Sequence, residues 1–482
     1  MKNLRLKNLI FVIFILLFIF LFSYANTQKI VEYNKPAVVL IYMDISGNVT
    51  FNVPRVNENA INQLQNEIMN LAYSGAFGTT EEEMKKNITK YIFQKMVQNP
   101  TRYLVPSKRQ KSVQVNTGAV GSGVVINPNG YILTATHVVS MEEEELKKTV
   151  AQKFLSSVIT EELFYNFEQE AGIELSQEEE KLLASAVLKY LLSNITSINY
   201  DKKIYVGLGV AEKGKSNVGA FFKPATIIKL GSSEKVSDIV DMGRDIAIIK
   251  IDQNNLPVSL VSEVEPTEAS EIVVIGYPAK VHFFAGNLFD NFTILKPTVT
   301  KGIVSAIRTS NKGVRVIQTD ATVSGGNSGG PAYNDEGKII GTVSWGILDP
   351  QIGVATQNYN ILVSCQEINN FLKEAGVQNV QSEVDINYRK AIDAYFEQKY
   401  RTAQNYFKKV EQLYPDHPYV KEYLVNCQTN IDQGKDRSGI NLGSNTTIIL
   451  IIVGLLFCGG IFLLSVAVTI YFIFFRKKPA SK

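Results

Sequence analysis

The sequence predicts a mainly β fold with a barrel core, into which helical segments are inserted and to which further helices are appended. Short β-branched runs interrupted by glycine recur at close spacing, which is typical of barrels; examples are residues 204–208, 272–276, 314–317 and 339–344. Two other stretches carry apolar residues at helical spacing. At 482 residues, of which 45% are hydrophobic and 20% charged, the chain is long enough for several globular parts.

Composition excludes one class of partner and one kind of scaffold. The formal net charge is +3 and the basic residues form no long stripe, so we expect no nucleic-acid partner. Only three cysteines occur, at Cys365, Cys427 and Cys458, and the last lies in an apolar run. We therefore expect small buried apolar residues and no disulfide framework.

Both ends of the chain carry apolar runs. A basic start precedes the apolar residues 9–22, and small residues follow at the spacing that a signal peptidase reads, so we expect residues 1–25 to be a signal peptide. An uncleaved anchor is the alternative. Residues 448–475 are apolar without a charge and a basic tail, 476–482, follows, which predicts a transmembrane helix with a cytoplasmic end. This predicts a single-pass protein of the cell membrane with an extracytoplasmic main part.

A serine is enclosed by glycines in the run Ser324-Gly325-Gly326-Asn327-Ser328-Gly329-Gly330. A nucleophilic serine requires such backbone freedom, because neighbouring N–H groups must point at an oxygen that becomes negative. A polar Gly/Ser turn is the alternative. Two partners for a nucleophile lie upstream: His137 ends an apolar strand-like run, and Asp245 opens an aliphatic one.

The order His137, Asp245, Ser328 is that of chymotrypsin. These segments resemble the trypsin-like serine proteases and, within them, the HtrA (Deg) family. The resemblance is carried by residues 121–126, 244–247, 298–305, 318–321 and 326–330.

The resemblance implies a double β-barrel protease domain and a serine endopeptidase. Ser328 would be the nucleophile, His137 the general base and Asp245 the residue that orients it. The backbone N–H groups of Gly326 and Ser328 would form the oxyanion hole. Neither a metal nor a cofactor is needed for this chemistry.

The resemblance also implies where a polypeptide substrate binds. Thr322 would line the base of the primary pocket, and Ser344, Trp345 and Gly346 would pair with the substrate backbone. Because Thr322 is uncharged, we expect small or medium apolar residues before the cleaved bond. The expected substrates are exported or misfolded proteins, and a homo-oligomer is possible because HtrA protease domains are commonly trimeric.

The predicted organisation places the protease domain at 26–378, with helical insertions at about 44–115 and 140–200. The second insertion follows His137 directly, and either gating of the cleft or structural padding explains it. Residues 385–432 then resemble a single tetratricopeptide repeat (TPR-like), where HtrA proteins usually have a PDZ domain. A linker, 433–447, follows.

A second class of function stays open at this point. A membrane-tethered chaperone or peptide-binding scaffold could use the same fold in an inactive or gated form. The complete set of His137, Asp245, Ser328 and the oxyanion glycines favours the enzyme, because a binding module does not need all of them.

Overall fold

The structure is a computed structural model. It describes residues 27–141, 146–149, 151, 175–209, 221–232, 235–236, 239–240, 243–278, 296–348 and 355–439. The chain divides into two compact units; the larger comprises residues 1–386 and 410–419, and the smaller comprises 387–409 and 420–482. Both closed β-barrels belong to the larger unit.

The first barrel is closed by six antiparallel strands in the order β1-β2-β3-β8-β5-β4, and a separate hairpin, β6-β7, precedes its last strand. The strands are β1 (Val38–Val56), β2 (Leu104–Asn127), β3 (Tyr131–Thr134), β4 (Ile195–Gly207), β5 (Phe222–Leu230), β6 (Lys235–Val236), β7 (Ile239–Val240) and β8 (Ala247–Ile251). Side chains such as Ile41, Val124 and Ile132 are fully buried in its interior. Their β-branched or aliphatic shapes suit a pleated, two-sided strand.

The second barrel has the strand order β10-β11-β14-β13-β12-β9. Its strands are β9 (Glu271–Gly276), β10 (Thr298–Thr309), β11 (Arg315–Thr319), β12 (Pro331–Tyr333), β13 (Ile339–Leu348) and β14 (Ala355–Ser364). One buried apolar cluster fills it, with a residue from each strand facing inward: Ile272, Val304, Ile317, Ala332, Ile340 and Leu362. The double-barrel part of the predicted fold class is therefore confirmed.

Two strands of the first barrel continue far beyond it as a ribbon. β1 and β2 pair from Val38↔Val124 out to Val56↔Leu104, and β4 follows β1 as far as Phe51↔Ile195. The stretch predicted to be a helical insertion from residue 44 thus begins as strand. Helical spacing was visible in the sequence, whereas the long strand register depends on pairing partners distant in the chain.

The ribbon carries helices at its end. They are α1 (Glu58–Tyr73), α2 (Glu81–Gln98) and α3 (Pro100–Tyr103); α4 (Thr136–Val139) follows β3, and α5 (Gln177–Ser193) precedes β4. A capping box between Thr80 and Glu83 begins α2. α5 packs against α2, where Lys90 pairs with Glu178 at 2.7 Å. The two predicted insertions therefore meet in space.

The remaining helices are α6 (Cys365–Ala375), α7 (Glu383–Phe396), α8 (Tyr400–Leu413) and α9 (Val420–Asp432). Within the smaller unit, Phe407 stacks on Tyr423 with ring centroids 4.9 Å apart, and the ring of Tyr388 meets that of Phe407 edge-on at 5.9 Å. Such contacts between rings hold neighbouring helices together. Assignment of these helices as a TPR-like repeat stays a prediction.

The predicted fold class is wrong in one part. In the portion of the chain that the structure describes, no helix is both long and apolar enough to cross a membrane. The longer described helices all carry charged side chains, such as Lys408 and Lys409 in α8, which lipid would have to accommodate. The predicted transmembrane helix is therefore not supported. Its segment, 448–475, lies outside the described residues, as do 1–25 and 476–482.

Candidate active site

Two of the predicted site residues are brought together by one pair of strands. β3 and β8 are antiparallel, with Thr134 opposite Ala247. His137 lies three residues after Thr134, in α4, and Asp245 lies two residues before Ala247. Because antiparallel neighbours place the end of one strand beside the start of the other, both side chains lie at the same end of the first barrel.

The carboxylate of Asp245 binds His137 through both oxygens. Nδ1 of the imidazole donates to Oδ2 at 2.8 Å, and the backbone N–H of His137 donates to Oδ1 at 3.2 Å. Asp245 is buried, with 3% of its surface exposed, whereas 39% of the His137 side chain is exposed. The aspartate is thus a fixed internal anchor, and the histidine extends from it toward the surface.

Burial of Asp245 opposes its ionisation. The neighbouring His137 and the hydrogen bonds from His137 and Ser344 outweigh burial, and they hold the pKa of Asp245 below its ordinary value. The carboxyl group is therefore ionised at neutral pH and acts only as a hydrogen-bond acceptor.

Ser344 connects this pair to Ser328. Its hydroxyl donates to Oδ2 of Asp245 at 2.5 Å, and its backbone carbonyl accepts a hydrogen bond from the Ser328 hydroxyl at 3.2 Å. Ser344 is 1% exposed. The sequence predicted only substrate pairing for Ser344; its contact with Asp245 joins residues 99 positions apart, and no local motif indicates it.

The loop that carries Ser328 is folded by tight turns. Asn327 N–H donates to the Ser324 carbonyl, and Gly330 N–H donates to the Asn327 carbonyl, each at 2.9 Å. Gly329 has φ of +82°, and a Cβ atom there would lie 2.2 Å from backbone and side-chain oxygens of the first barrel. Only glycine fits that position.

The predicted oxyanion donors are available in this loop. Gly326 has φ of +100°, a conformation that favours glycine. Within the described part of the chain, neither the Gly326 N–H nor the Ser328 N–H has a hydrogen-bond partner. Both N–H groups can therefore donate hydrogen bonds to an oxygen that becomes negative.

The strand that carries Trp345 and Gly346 has an open edge. β13 pairs with β14 through Trp345↔Ile361 and Gly346↔Asn360, whereas its pairing with β12 ends at Thr342. In the residues that the structure describes, the other edge beyond that point has no strand partner. An extended peptide can add to such an edge by backbone hydrogen bonds.

Thr322 lies on the loop between β11 and the Ser328 loop, and its side chain is exposed. The residue before it, Ala321, has its carbonyl bound at 2.8 Å by the side-chain amide of Asn360, a buried residue of β14. The sequence did not single out Asn360, and a lone asparagine in a strand gives no signal. Among the described residues, no group of His, Cys, Asp and Glu side chains is arranged to hold a metal ion.

A family model for a trypsin-like peptidase domain matches residues 212–341, a range that contains Asp245 and Ser328. The chain contains a trypsin-like peptidase domain. The matched range begins after His137, so the barrel strands described above link the histidine to it.

Homologues of the chain occur among HtrA/DegP-family serine proteases. The chain is 33% identical over 152 residues to serine protease HhoB of Synechocystis sp., covering 30% of this chain and 32% of that protein. It is 41% identical over 125 residues to serine protease HTRA1A of Danio rerio, covering 24% and 23% respectively. The chain thus spans a third or less of the length of these relatives.

A solved structure gives a weaker likeness. The serine endoprotease of Yersinia pestis aligns with 72% of this chain and 65% of its own, at 17% identity and a TM-score of 0.32. That score is too low to support an argument about this chain.

Proposed function

We propose that the chain is a serine endopeptidase that cleaves polypeptides through Ser328, His137 and Asp245. One observation carries the proposal: Oδ2 of Asp245 accepts hydrogen bonds from both His137 and Ser344, and the Ser344 carbonyl receives the Ser328 hydroxyl. A buried carboxylate, an imidazole and a serine at a glycine-rich turn are together the groups that acyl transfer requires.

In the proposed reaction the Ser328 oxygen attacks the carbonyl carbon of the substrate while His137 takes the serine proton. Asp245 keeps the Nδ1–H tautomer of His137, so that Nε2 is free to act as the base. The tetrahedral oxyanion binds the N–H groups of Gly326 and Ser328. His137 then protonates the leaving amine, and water hydrolyses the acyl-enzyme by the same steps in reverse order.

The resting hydrogen bond of Ser328 must change before attack. Its hydroxyl donates to the Ser344 carbonyl at 3.2 Å, a long hydrogen bond for two oxygens. Rotation about the Ser328 side chain redirects that proton toward the base at the small cost of exchanging one staggered rotamer for another. Substrate binding along β13 would promote this change, because Ser344 belongs to the same strand.

The proposed substrates are extended segments of exported or misfolded proteins, bound along the open edge of β13. The uncharged Thr322 supports small or medium apolar residues before the cleaved bond. An extracytoplasmic location and assembly into a homo-oligomer are further parts of this proposal, and they rest on the sequence of the chain and on its HtrA resemblance.

Labelling of the full chain by a fluorophosphonate probe tests this proposal, because the probe reacts with an activated serine whatever the natural substrate. We expect labelling of the unaltered protein and its loss in Ser328→Ala and in His137→Ala. Ser310→Ala, a serine on the loop after β10, is the matched control and should label normally. An unaltered protein that binds peptides but does not label would contradict the proposal and favour the scaffold function.

A further inference from the structure

Ser122 lies on β2 within a Gly-Ser-Gly motif, and its side chain is fully buried. Its backbone N–H donates to the Ser328 carbonyl at 2.8 Å. Its own carbonyl accepts a hydrogen bond of 2.8 Å from the hydroxyl of Thr134, which lies in β3 three residues before His137. Ser122 therefore contacts the nucleophile loop on one side and the strand that leads to the histidine on the other.

The Ser122 hydroxyl has a fixed direction. It accepts a hydrogen bond from the Tyr277 N–H at 2.8 Å and donates to the Gly326 carbonyl at 2.7 Å. A hydroxyl has one proton, and the Tyr277 N–H can only donate, so the proton must lie on the Gly326 side. Tyr277 directly follows β9 of the second barrel. The Ser122 side chain, on the first barrel, thus makes hydrogen bonds both to the second barrel and to the nucleophile loop.

The carbonyl that Ser122 holds belongs to the peptide between Gly326 and Asn327. That peptide lies between the two peptides whose N–H groups, at Gly326 and Ser328, would form the oxyanion hole. Four backbone torsions, φ and ψ of Gly326 and of Asn327, lie between those two nitrogens. A rotation of the held peptide changes two of them, ψ of Gly326 and φ of Asn327. Gly326 already has φ of +100°, where a glycine has several conformations open to it. The hydrogen bond from Ser122 to the Gly326 carbonyl selects one of these conformations.

We propose that Ser122 is a positioning residue for the oxyanion hole, acting through its hydrogen bond to the Gly326 carbonyl. This inference rests on the proposed peptidase function. Ser122 itself does not touch the substrate in this scheme. Its removal should weaken the interactions that form only when the oxyanion forms, and it should leave ground-state peptide binding on β13 nearly unchanged.

Gly276 offers a second way to disturb the same hydrogen bond. A Cβ atom there would lie 3.0 Å from the Ser122 hydroxyl oxygen and 2.9 Å from the side-chain oxygen of Asn327. Gly276→Ala therefore crowds both the Ser122 hydroxyl and the Asn327 side chain, and it disturbs this hydrogen bond while every hydrogen-bonding group stays in the chain. Ser259 is a matched control for Ser122, because it is also fully buried and its hydroxyl is bound to Asn34 and Tyr333.

The test uses the full chain with Ser122→Ala, Gly276→Ala or Ser259→Ala. Thermal unfolding first establishes that each variant is folded. For each one, kcat and KM are measured with a peptidyl p-nitroanilide that ends in valine, and the inhibition constant is measured for the peptide aldehyde of the same sequence. The aldehyde forms a hemiacetal with Ser328 whose oxygen occupies the oxyanion position, so its affinity reports the hole directly.

We expect Ser122→Ala to lower kcat by about tenfold or more and to weaken the aldehyde by a similar factor, with KM within about twofold of its original value. Ser259→Ala should leave the ratio of KM to the inhibition constant of the aldehyde unchanged. A folded Ser122→Ala variant with normal kcat and aldehyde affinity would overturn the inference, as would equal changes in KM and aldehyde affinity. If Ser122→Ala does not fold, the same comparison on Gly276→Ala decides.

Failure of this inference can be distinguished from failure of the proposed function. An unaltered protein that neither cleaves the anilide nor reacts with the fluorophosphonate refutes the peptidase proposal, and the inference with it. An active unaltered protein with an equally active Ser122→Ala variant refutes the positioning role alone.

Discussion

The Ser344 hydroxyl donates to Oδ2 of Asp245 at 2.5 Å, the same oxygen that binds the imidazole of His137. One carboxylate oxygen thus has two donors from different elements: α4, which follows β3 of the first barrel, and β13 of the second barrel. The position of His137 in the first barrel is therefore coupled to a strand of the second, on which Ser328 also depends.

Replacement of Asp245 by asparagine keeps the shape of the site and removes its charge. An amide can donate to Nδ1 of His137 and so favour the wrong tautomer, and we expect kcat to fall by about 10³ to 10⁴-fold. Anilide hydrolysis measures this, with titration of active sites to confirm equal protein. A loss of less than about tenfold would show that Asp245 does not orient the base.

Replacement of Ser344 by alanine removes one donor from the buried carboxylate and leaves the backbone carbonyl in place. Because the Ser344 hydrogen bond helps to hold the pKa of Asp245 below its ordinary value, its loss should raise that pKa. We expect kcat/KM to fall by about tenfold. Ser364→Ala is the control: it lies in β14, is fully buried, and its hydroxyl has no hydrogen-bond partner in the described chain. Equal rates in both variants would contradict the prediction.

Replacement of Gly329 by alanine should destabilise the peptidase domain. The added carbon would meet Ser122 O and Thr134 Oγ1 at 2.2 Å, in addition to the strain of positive φ. Gly313→Ala separates the two effects, because Gly313 has φ of +79° with no atom within 4 Å of such a carbon. We expect Gly313→Ala to cost about 1 kcal/mol and Gly329→Ala several times more, as measured by urea unfolding. Equal costs would contradict this prediction, because they would mean that Gly329 has room for a methyl group.

His417 should make stability depend on pH. Burial, assisted by the positive charge of Lys35, lowers the pKa of His417 to about 3. The unfolded chain binds a proton near pH 6.5, whereas the folded chain does not until about pH 3. The free energy of unfolding should therefore be unaffected above pH 6.5 and fall below it by about 1.4 kcal/mol per pH unit.

Urea unfolding of the unaltered protein and of His417→Gln between pH 4 and pH 8 measures this effect. The difference in stability between the two proteins should be constant above pH 6.5. Below that pH, the unaltered protein should lose stability relative to His417→Gln. Parallel curves over the whole range would mean that His417 is accessible to protons in the folded state.

The sequence made part of the site predictable. His137 and Asp245 each stand beside a strand-like run, and the pairing of β3 with β8 brings them into contact. The sequence named Ser344 only for substrate pairing and Ser122 only as part of the segment 121–126, and the hydrogen bonds of these two serines could not be predicted in the same way. The hydrogen bond of Ser122 to Gly326 spans 204 positions, and its existence depends on how one barrel packs against the other. A buried serine has no sequence pattern that distinguishes it from a surface one.

The fold was predictable to a similar depth. Helical periodicity located α1, α2 and α5, because one face of each helix is apolar. The extension of β1 to Val56 was not predicted. Apolar residues such as Val49 and Phe51 alternate there with polar ones, as in a strand, but the pairing with β2 and β4 depends on partners distant in the chain. The predicted transmembrane helix is not supported, because no helix among the described residues is long and apolar enough to cross a membrane; the segment 448–475 itself lies outside those residues.

The shared strand β1 limits how this protein can be shortened. Ser46 is paired on one side with Asn116 of β2 and on the other with Asp201 of β4. A deletion of residues 141–196 alone would remove α5 and expose the face of α2 that it covers. A shortened protein would have to lose both insertions, with β1, β2 and β4 cut at the same point along the ribbon. For example, an Asn-Gly turn could join Ser46 directly to Asn116, and β4 could begin at Asp201. The two insertions thus pack against each other as one unit, although His137 separates them in the chain.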